Sequence, residues 1–465
     1  MKKILTLVLV LVMSFCFCSM TGCGKKEDDG PITITVGISG NATENRLMKK
    51  WKEEYEKDNP NIKISFKTIS DNYTQALMGY EQSTKSMPDI IWTTGEQHVA
   101  WSEKGIFVNL EPRLKNDADI DLNDFYGSML ETTHKSSHDN GIYFIPRDYN
   151  KCVIVINKVM FRHCGFTDEE INGLKDGWDY TKFLAVCEKL RTAMDAAEEG
   201  DDNYNYGVRP DSVPLDARMD FDASYMSFIK HFGGNFVEDN GKVNFISESN
   251  LNAYGEIYDL IQKRYIASQS DKDTATFLYR RAAMKIEVRP NIPSLPSSDY
   301  YDIDFLPLPL DYVGVGCSGY AISKMAKERV SSSSYNKDKL SNEEYAYRFI
   351  KFIVSAEGQK IGAETGSIVP VLKSLANDTS WTGYKDASLN HSAFISNPEK
   401  DFNLNVYRDF KPTDAAKILT NMGNVMAYVI TEDSYSDGGA SANYGVLINA
   451  IKGFQNSVSG FTVVS

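Results

Sequence analysis

Apolar and polar residues alternate over Ile32-Thr-Ile-Thr-Val36, the period-two signature of a strand with one buried face, and a Gly/Asn/Ser loop follows from Gly37 to Asn45. Leu47, Met48, Trp51 and Tyr55 then recur at helical spacing, which puts Trp51 in the core, and Asn59-Pro60 closes that helix. Ile62 to Thr68 alternates again. Met87-Pro88-Asp89 leads into the short apolar run Ile90-Ile91-Trp92 and a loop rich in Thr and Gly, Thr93 to Glu96. Strand, helix, strand, helix, strand predicts βαβ units and a mostly parallel sheet, with ligands in the crevice beyond the carboxyl ends of the strands. Both loops fall at those ends.

The second half repeats the style. Cys152 to Ile156 is an unbroken apolar run that reads as a buried strand, yet Pro146-Arg147-Asp148-Tyr149-Asn150 stands just before it, charged and rich in hydrogen-bonding groups. Asp179 to Arg191 predicts an amphipathic helix with Phe183, Leu184, Cys187 and Leu190 inward, and Tyr225 to Phe232 another that runs into Gly233-Gly234. Asn240-Gly241 suits a tight hairpin turn within Phe236 to Ile246, and Ser247 is a good N-cap for the helix that follows. Ile303 to Pro309 and Gly316 to Ile322 read as extended segments. Trp101 and Trp178 sit at helix positions and read as packing residues.

The N-terminus supplies an address. Lys2-Lys3, the apolar run Ile4 to Met13 and the small-residue site Met20-Thr21-Gly22-Cys23 have the layout of a secretory signal. It resembles a bacterial lipoprotein signal, with Met20 where that pattern prefers Leu, and implies diacylglyceryl attachment at Cys23. The apolar stretch is short for a membrane span. Gly24 to Pro31 reads as a solvated tether.

A chain of 465 residues predicts more than one lobe, and 42% hydrophobic with 24% charged residues marks a globular protein. Net charge is −13; without residues 1–22, which hold two Lys and no acid, 48 basic residues face 63 acidic ones, giving −15. Such a surface repels nucleic acid. Cys152, Cys164, Cys187 and Cys317 are scattered singly, three of them in apolar contexts, and form no disulfide framework. No pair stands at metal-ligand spacing, and no poised nucleophile or calcium loop appears, so neither metal nor cofactor is expected.

The order PDIIW (88–92), EKGIFVNLEP (103–112), IYFIPRDYN…VINK (142–158), GWDYTKFLAVCEKLR (177–191), FGGNFVEDNGKVNF (232–245), RRAAMKI (280–286), FLPLP (305–309), GCSGYAISK (316–324) and FIKFIVSAEGQKIGAETGSIVP (349–370) resembles the extracellular solute-binding proteins of family 1. These are the sugar- and oligosaccharide-binding lipoproteins of ABC importers, the group that includes maltodextrin-binding protein. The resemblance implies an α/β, two-lobed periplasmic-binding-protein-like fold with a hinge and an interlobe ligand cleft. It further implies a signal over 1–22, a lipidated tether over 23–31, a first lobe from 32–148 plus 307–372 and a second from 149–306 plus 373–465. The implied partners are a carbohydrate, permease transmembrane subunits and a membrane reached through the lipid, with the protein itself a monomer.

A sugar presents hydroxyls that need matched donors and acceptors, since an unmatched buried polar group costs about 1–3 kcal/mol, and ring faces that lie on aromatic side chains. The resemblance carries Asn41 and Glu44 in the first loop and Trp92 and Glu96 in the second toward the ligand, with Trp92 open to a core reading. Asp148 and Tyr149 match the hinge loop, where Asp148 either walls the groove or makes a local turn bond. Asp220 and Asp222 precede the helix that leads into Gly233-Gly234, and Ser318 stands at the return to the first lobe, as ligand contact or close-packed turn. Where relatives commonly read Gly and then Trp after AAM, this chain reads Lys-Ile-Glu-Val-Arg289: Arg289 either grips a charged ligand or pairs with Glu287 on the surface. A charged non-sugar solute, a surface glycan-binding or sensory role and a secreted glycosidase are the alternatives. Trp381 has no assigned place.

Overall fold

The computed structural model describes residues 29–69, 79, 86–377, 388–431 and 445–463. The signal, Cys23, most of the tether and Trp381 lie outside the described residues.

In chain order the elements that frame the site are β1 (Ile32–Ile38), α1 (Ala42–Asp58), β2 (Ile62–Thr68), β3 (Ile90–Thr94), β4 (Ile145–Pro146), β5 (Asn150–Lys151), β6 (Val153–Asn157), α2 (Tyr180–Asp195), β7 (Val213–Asp216), α3 (Asp222–His231), α4 (Glu248–Gln262), β8 (Ala282–Glu287), β9 (Ile303–Pro307), β10 (Val313–Gly316), β11 (Ser318–Ile322), α5 (Asn342–Val354), β12 (Asp401–Asn403), α6 (Pro412–Val429) and α7 (Gly445–Val458). The periodicities explain most of them. Ile32, Ile34 and Val36 are buried on β1; Leu47, Met48, Trp51 and Tyr55 form the buried stripe of α1. On α2, Phe183, Cys187 and Leu190 are buried and Leu184 half-buried, while the Asp179 carboxylate caps the helix by accepting from Lys182 N at 2.8 Å. Ser247 caps α4 in the same way, accepting from Asn250 N at 3.3 Å. Around Asn240-Gly241 the chain makes a turn closed by a Val237–Val243 bridge, with Gly241 at φ +76°, rather than a long hairpin.

The first lobe is built on a five-stranded sheet in the order β2-β1-β3-β11-β4, the second on a four-stranded sheet in the order β7-β8-β6-β9. The expectation of mostly parallel sheets needs correction. β1 is parallel to β2 and β3, and β7 to β8, but β11 is antiparallel to β3 and β4, and β6 to β8 and β9. The antiparallel members are the strands by which the chain enters a lobe from the other one. They start at the hinge and run outward, whereas strands reached by a crossover within a lobe end at the hinge.

Between the lobes lies a small sheet in the order β12-β10-β5. It joins the first crossing, Arg147 to Cys152, with the second, Leu308 to Cys317. Along the remaining connection, Leu372 still pairs with Phe125 in the first lobe, whereas Asn390 N donates to Asp304 in the second at 2.7 Å. Lys151 anchors this sheet: its ammonium meets Asp401 Oδ1 at 2.5 Å, with both side chains buried. Tyr149 donates its hydroxyl to Asp401 and stacks on Tyr126 at 4.1 Å. β6 carries a buried side chain at every position: Val153 and Val155 join the core that continues into the first lobe, and Ile154 and Ile156, with Cys152 just before the strand, join the core beneath α2, α4 and α6.

Candidate ligand cleft between the lobes

A cavity of about 520 Å3 opens between the lobes, lined from both sides. The first lobe contributes Ser39 and Asn41 from the loop after β1, Thr43 and Glu44 from the first turn of α1, and Trp92, Thr94, Glu96 and Gln97 from the end of β3 and just beyond, with Arg147 and Ser318. The second contributes Phe221 and Asp222 at the head of α3, Val288 and Asn291 after β8, and Asn403 to Arg408 after β12.

Local structure explains these placements. Asn41 is the N-cap of α1, its Oδ1 accepting from Thr43 N at 2.8 Å and Glu44 N at 3.3 Å, which fixes the loop and turns Glu44 inward. Alternation on β3 buries Thr93 and turns Trp92 and Thr94 toward the cavity, where Thr94 pairs with Ser318 of β11. The close approach at β11 depends on Gly319: a Cβ there would meet the Ile145 carbonyl at 2.0 Å.

The charged groups fall into two sets. Glu44 is buried in an ion pair with Arg147 and accepts from Tyr320 Oη at 2.7 Å, while Arg147 Nε also reaches Asp148 at 3.3 Å. Burial opposes charge on Arg147, but Glu44, Tyr320 and Asp148 outweigh it and hold the guanidinium protonated. Glu96 and Asp222 behave differently. They stand in opposite walls of the cavity, and neither has a cationic partner among the described residues. Burial, and after it the charge of Asp222, pushes the Glu96 carboxyl up to about 8; burial likewise raises Asp222. Among the described residues no group of three or more His, Cys, Asp or Glu is placed to hold a metal ion, and no helix is long and apolar enough to cross a membrane.

The arrangement suits a bound small molecule: aromatic faces at Trp92, Phe221 and Tyr407, amides at Asn41, Gln97, Asn150, Asn291 and Asn403, and hydroxyls at Thr43, Thr94 and Ser318. The family model described as "Bacterial extracellular solute-binding protein" matches residues 40–360, more than two thirds of the chain. The chain belongs to the bacterial extracellular solute-binding proteins.

Solved structures agree on the fold of this solute-binding protein. It is similar to the sugar-binding protein MalE from the phytopathogen Xanthomonas citri (TM-score 0.67, 15% identity, covering 92% of this chain and 96% of that one). It is also similar to an ABC substrate-binding protein from Listeria monocytogenes in complex with cycloalternan (0.65, 15%, 92% and 99%) and to UgpB from Mycobacterium tuberculosis in complex with glycerophosphocholine (0.63, 15%, 92% and 98%). No curated protein matches its sequence. Members of this family bind solutes without transforming them, so the chain is a binding protein rather than an enzyme.

Of the residues singled out in the sequence, Asn41, Glu44, Trp92, Glu96, Asp222 and Ser318 meet at the cavity, and Trp92 both lines it and packs on the core. Four do not. Asp148 is fully buried behind the wall, where Ser318 N (2.8 Å), Ser318 Oγ (3.0 Å), Asn150 Nδ2 (3.1 Å) and Arg147 Nε all donate to it. It is the hinge brace of the solute-binding protein, and neither an open groove wall nor a solvated turn. Tyr149 is consumed by Asp401 and Tyr126. Asp220 lines a separate cavity of about 320 Å3 on the second lobe, because the chain turns at Phe221 into α3 and sends residues 220 and 222 to different sides. Arg289 is fully buried, Nη1 lying 2.9 Å from His391 Nδ1 and the guanidinium 5.1 Å over Phe394. β8 ends at Glu287 and a 3-10 helix begins at Arg289, so strand alternation does not carry its side chain outward, and Glu287 pairs with Arg218 and Lys285 instead, each at 3.0 Å.

Sequence reasoning missed the Asn403–Arg408 segment. It has no local signature and reaches the cleft only because β12 pairs in parallel with β10, Val313 opposite Asp401. Phe221, between the two aspartates already noted, was discoverable as an aromatic at the same turn.

Proposed function

We propose that this protein is the substrate-binding lipoprotein of an ABC importer, which captures a sugar or oligosaccharide outside the membrane and delivers it to a permease. The observation that carries the reading is the cavity between the lobes, where amides and hydroxyls alternate with Trp92, Phe221 and Tyr407. Hydroxyl-rich rings need that pairing of hydrogen-bonding groups with flat apolar faces. The cycloalternan complex of the Listeria protein is a precedent on the same fold. Lobe limits at 32–148 plus 307–372 and 149–306 plus 373–465 make the crossings a hinge, and closure about it buries the solute and joins the two lobes into one face for the permease. Asn41, Glu44, Trp92, Glu96, Asp222 and Ser318 are the ligand contacts of this reading, and Asp148 and Tyr149 support the hinge. The protein acts as a monomer held by acyl chains at Cys23, so Cys23→Ala releases it from the membrane fraction.

A second reading, a charged non-sugar solute, is favoured by the two acids without cationic partners, Glu96 and Asp222, and the glycerophosphocholine complex of UgpB is its precedent on this fold. Thermal unfolding of the purified protein against neutral oligosaccharides, uronic acids, sugar phosphates and polyamines separates the two. Ligand at a hundred times its Kd adds about 2.7 kcal/mol of stability. A shift with an oligosaccharide supports the first reading; a shift with charged non-sugar solutes alone overturns it.

A further inference from the structure

We infer that the solute carries a cationic amine, seated between Glu96 of the first lobe and Asp222 of the second; the inference rests on the cleft being the ligand site. Five charged side chains line the cavity: Glu44, Glu96, Arg147, Asp222 and Arg408. Glu44 and Arg147 neutralise each other in a buried ion pair, and Arg147 is further engaged by Asp148. Arg408 Nε is bound to Asp409 at 2.9 Å, and its Nη1 faces Glu131 at 3.8 Å. Both cations are therefore already satisfied by protein acids, and the uncompensated charge on the cavity surface is a pair of carboxylates.

Their surroundings favour an external counter-ion. Asp222 is the first residue of the ten-residue α3 and accepts from Ala223 N at 2.7 Å, so the helix terminus stabilises its negative charge. Glu96 makes no hydrogen bond or ion pair among the described residues. Glu96 and Asp222 line the same cavity, which places the pair in one volume and not in two separate pockets. Two carboxylates facing one cavity oppose each other's ionisation, and burial with the Asp222 charge pushes the Glu96 carboxyl up until a cation joins them. An ammonium between them restores both charges with charge-assisted hydrogen bonds. The second, independent observation is aromatic: Trp92 from one lobe and Phe221 and Tyr407 from the other line the same cavity, the faces on which an ammonium or the sugar ring bearing it rests. Because the acids stand on opposite lobes, a cation seated between them links closure of the lobes to recognition of the solute.

The experiment is calorimetric titration of the purified protein with glucosamine oligosaccharides, with their N-acetylated counterparts of equal length, and with spermidine. We expect the aminated sugar to bind at least tenfold tighter than its N-acetylated counterpart, and Glu96→Gln and Asp222→Asn each to bring that ratio toward one. Melting curves establish that each variant is folded, and the two variants sit on different lobes, so loss of one leaves the other as the test. A neutral oligosaccharide bound as tightly as its aminated partner overturns the inference and leaves the carbohydrate reading intact. Spermidine bound where no saccharide binds supports the amine site and overturns the carbohydrate reading. Binding of none of the three overturns the inference.

Discussion

Asp148, buried at the hinge, and Glu96, half-buried in the cleft wall, are both carboxylates held between the lobes, yet their situations are opposite. Asp148 receives four donors from Ser318, Asn150 and Arg147, so its charge is spent inside the molecule. Glu96 faces the cavity and, a wall away, Asp222, with burial and that neighbour driving its carboxyl toward neutrality. A saturated acid fixes geometry; an unsaturated one awaits a partner. The difference separates the residues that hold the lobes in register from those that can recognise a solute, and it lies in the donors each acid receives.

The largest effect that probes this contrast is Arg147→Ala. It strands Glu44 and Asp148 as buried charges, and we expect a loss of about 3–5 kcal/mol in urea unfolding. A loss under about 1 kcal/mol would mean that the hinge acids are hydrated and the contrast false. Asp148→Ala comes next, because it leaves the buried Ser318 amide and Arg147 Nε without their acceptor. It should cost about 2–3 kcal/mol of stability while changing ligand Kd by less than about threefold, since Asp148 does not reach the cavity. A large change in Kd with little loss of stability would return Asp148 to the ligand.

Trp92→Ala should do the reverse in proportion. Removing an aromatic wall costs about 1.5 kcal/mol of binding, a tenfold weaker Kd by calorimetry, with a smaller fall in melting temperature. The smallest effect is electrostatic. The folded protein holds Glu96 near 8 against 4.5 for a free carboxyl, so the native state binds more protons than the unfolded chain across that interval. Stability contributed through Glu96 is therefore greatest below about pH 4.5 and is lost as pH rises toward 8. Glu96→Gln removes this fall and should gain roughly 1 kcal/mol at pH 8 in the absence of ligand, less than full linkage because cavity water screens the charge. A variant whose pH profile matches that of the parent would show that Glu96 is solvated and ionised throughout.

The chain's periodicity disclosed much of the scaffold. Ile62–Thr68 is the strand its alternation predicts, and α1 ends where Asn59-Pro60 demands. The two loops read as ligand loops, after β1 and β3, do reach the cavity. These features are legible because they rest on near-neighbour spacing, which the sequence encodes directly. Strand direction was not. The entering strands β6 and β11 run against their neighbours because of where the chain crosses between lobes, a property of the whole path.

The sequence by itself determined the βαβ style, the buried stripes and caps, and the motif order that marks the family. Tertiary structure alone decided which polar residues are free for a solute. Asp148 carries the same functional group as Asp222, but Ser318, distant in sequence, and Asn150, beyond a turn, meet Asp148 in the core, whereas Asp222 faces the cleft; Arg289 is likewise met by His391. A side chain's chemistry is local, whereas its hydrogen-bond satisfaction depends on what folding brings beside it, and that sum is fixed only when both lobes are in place.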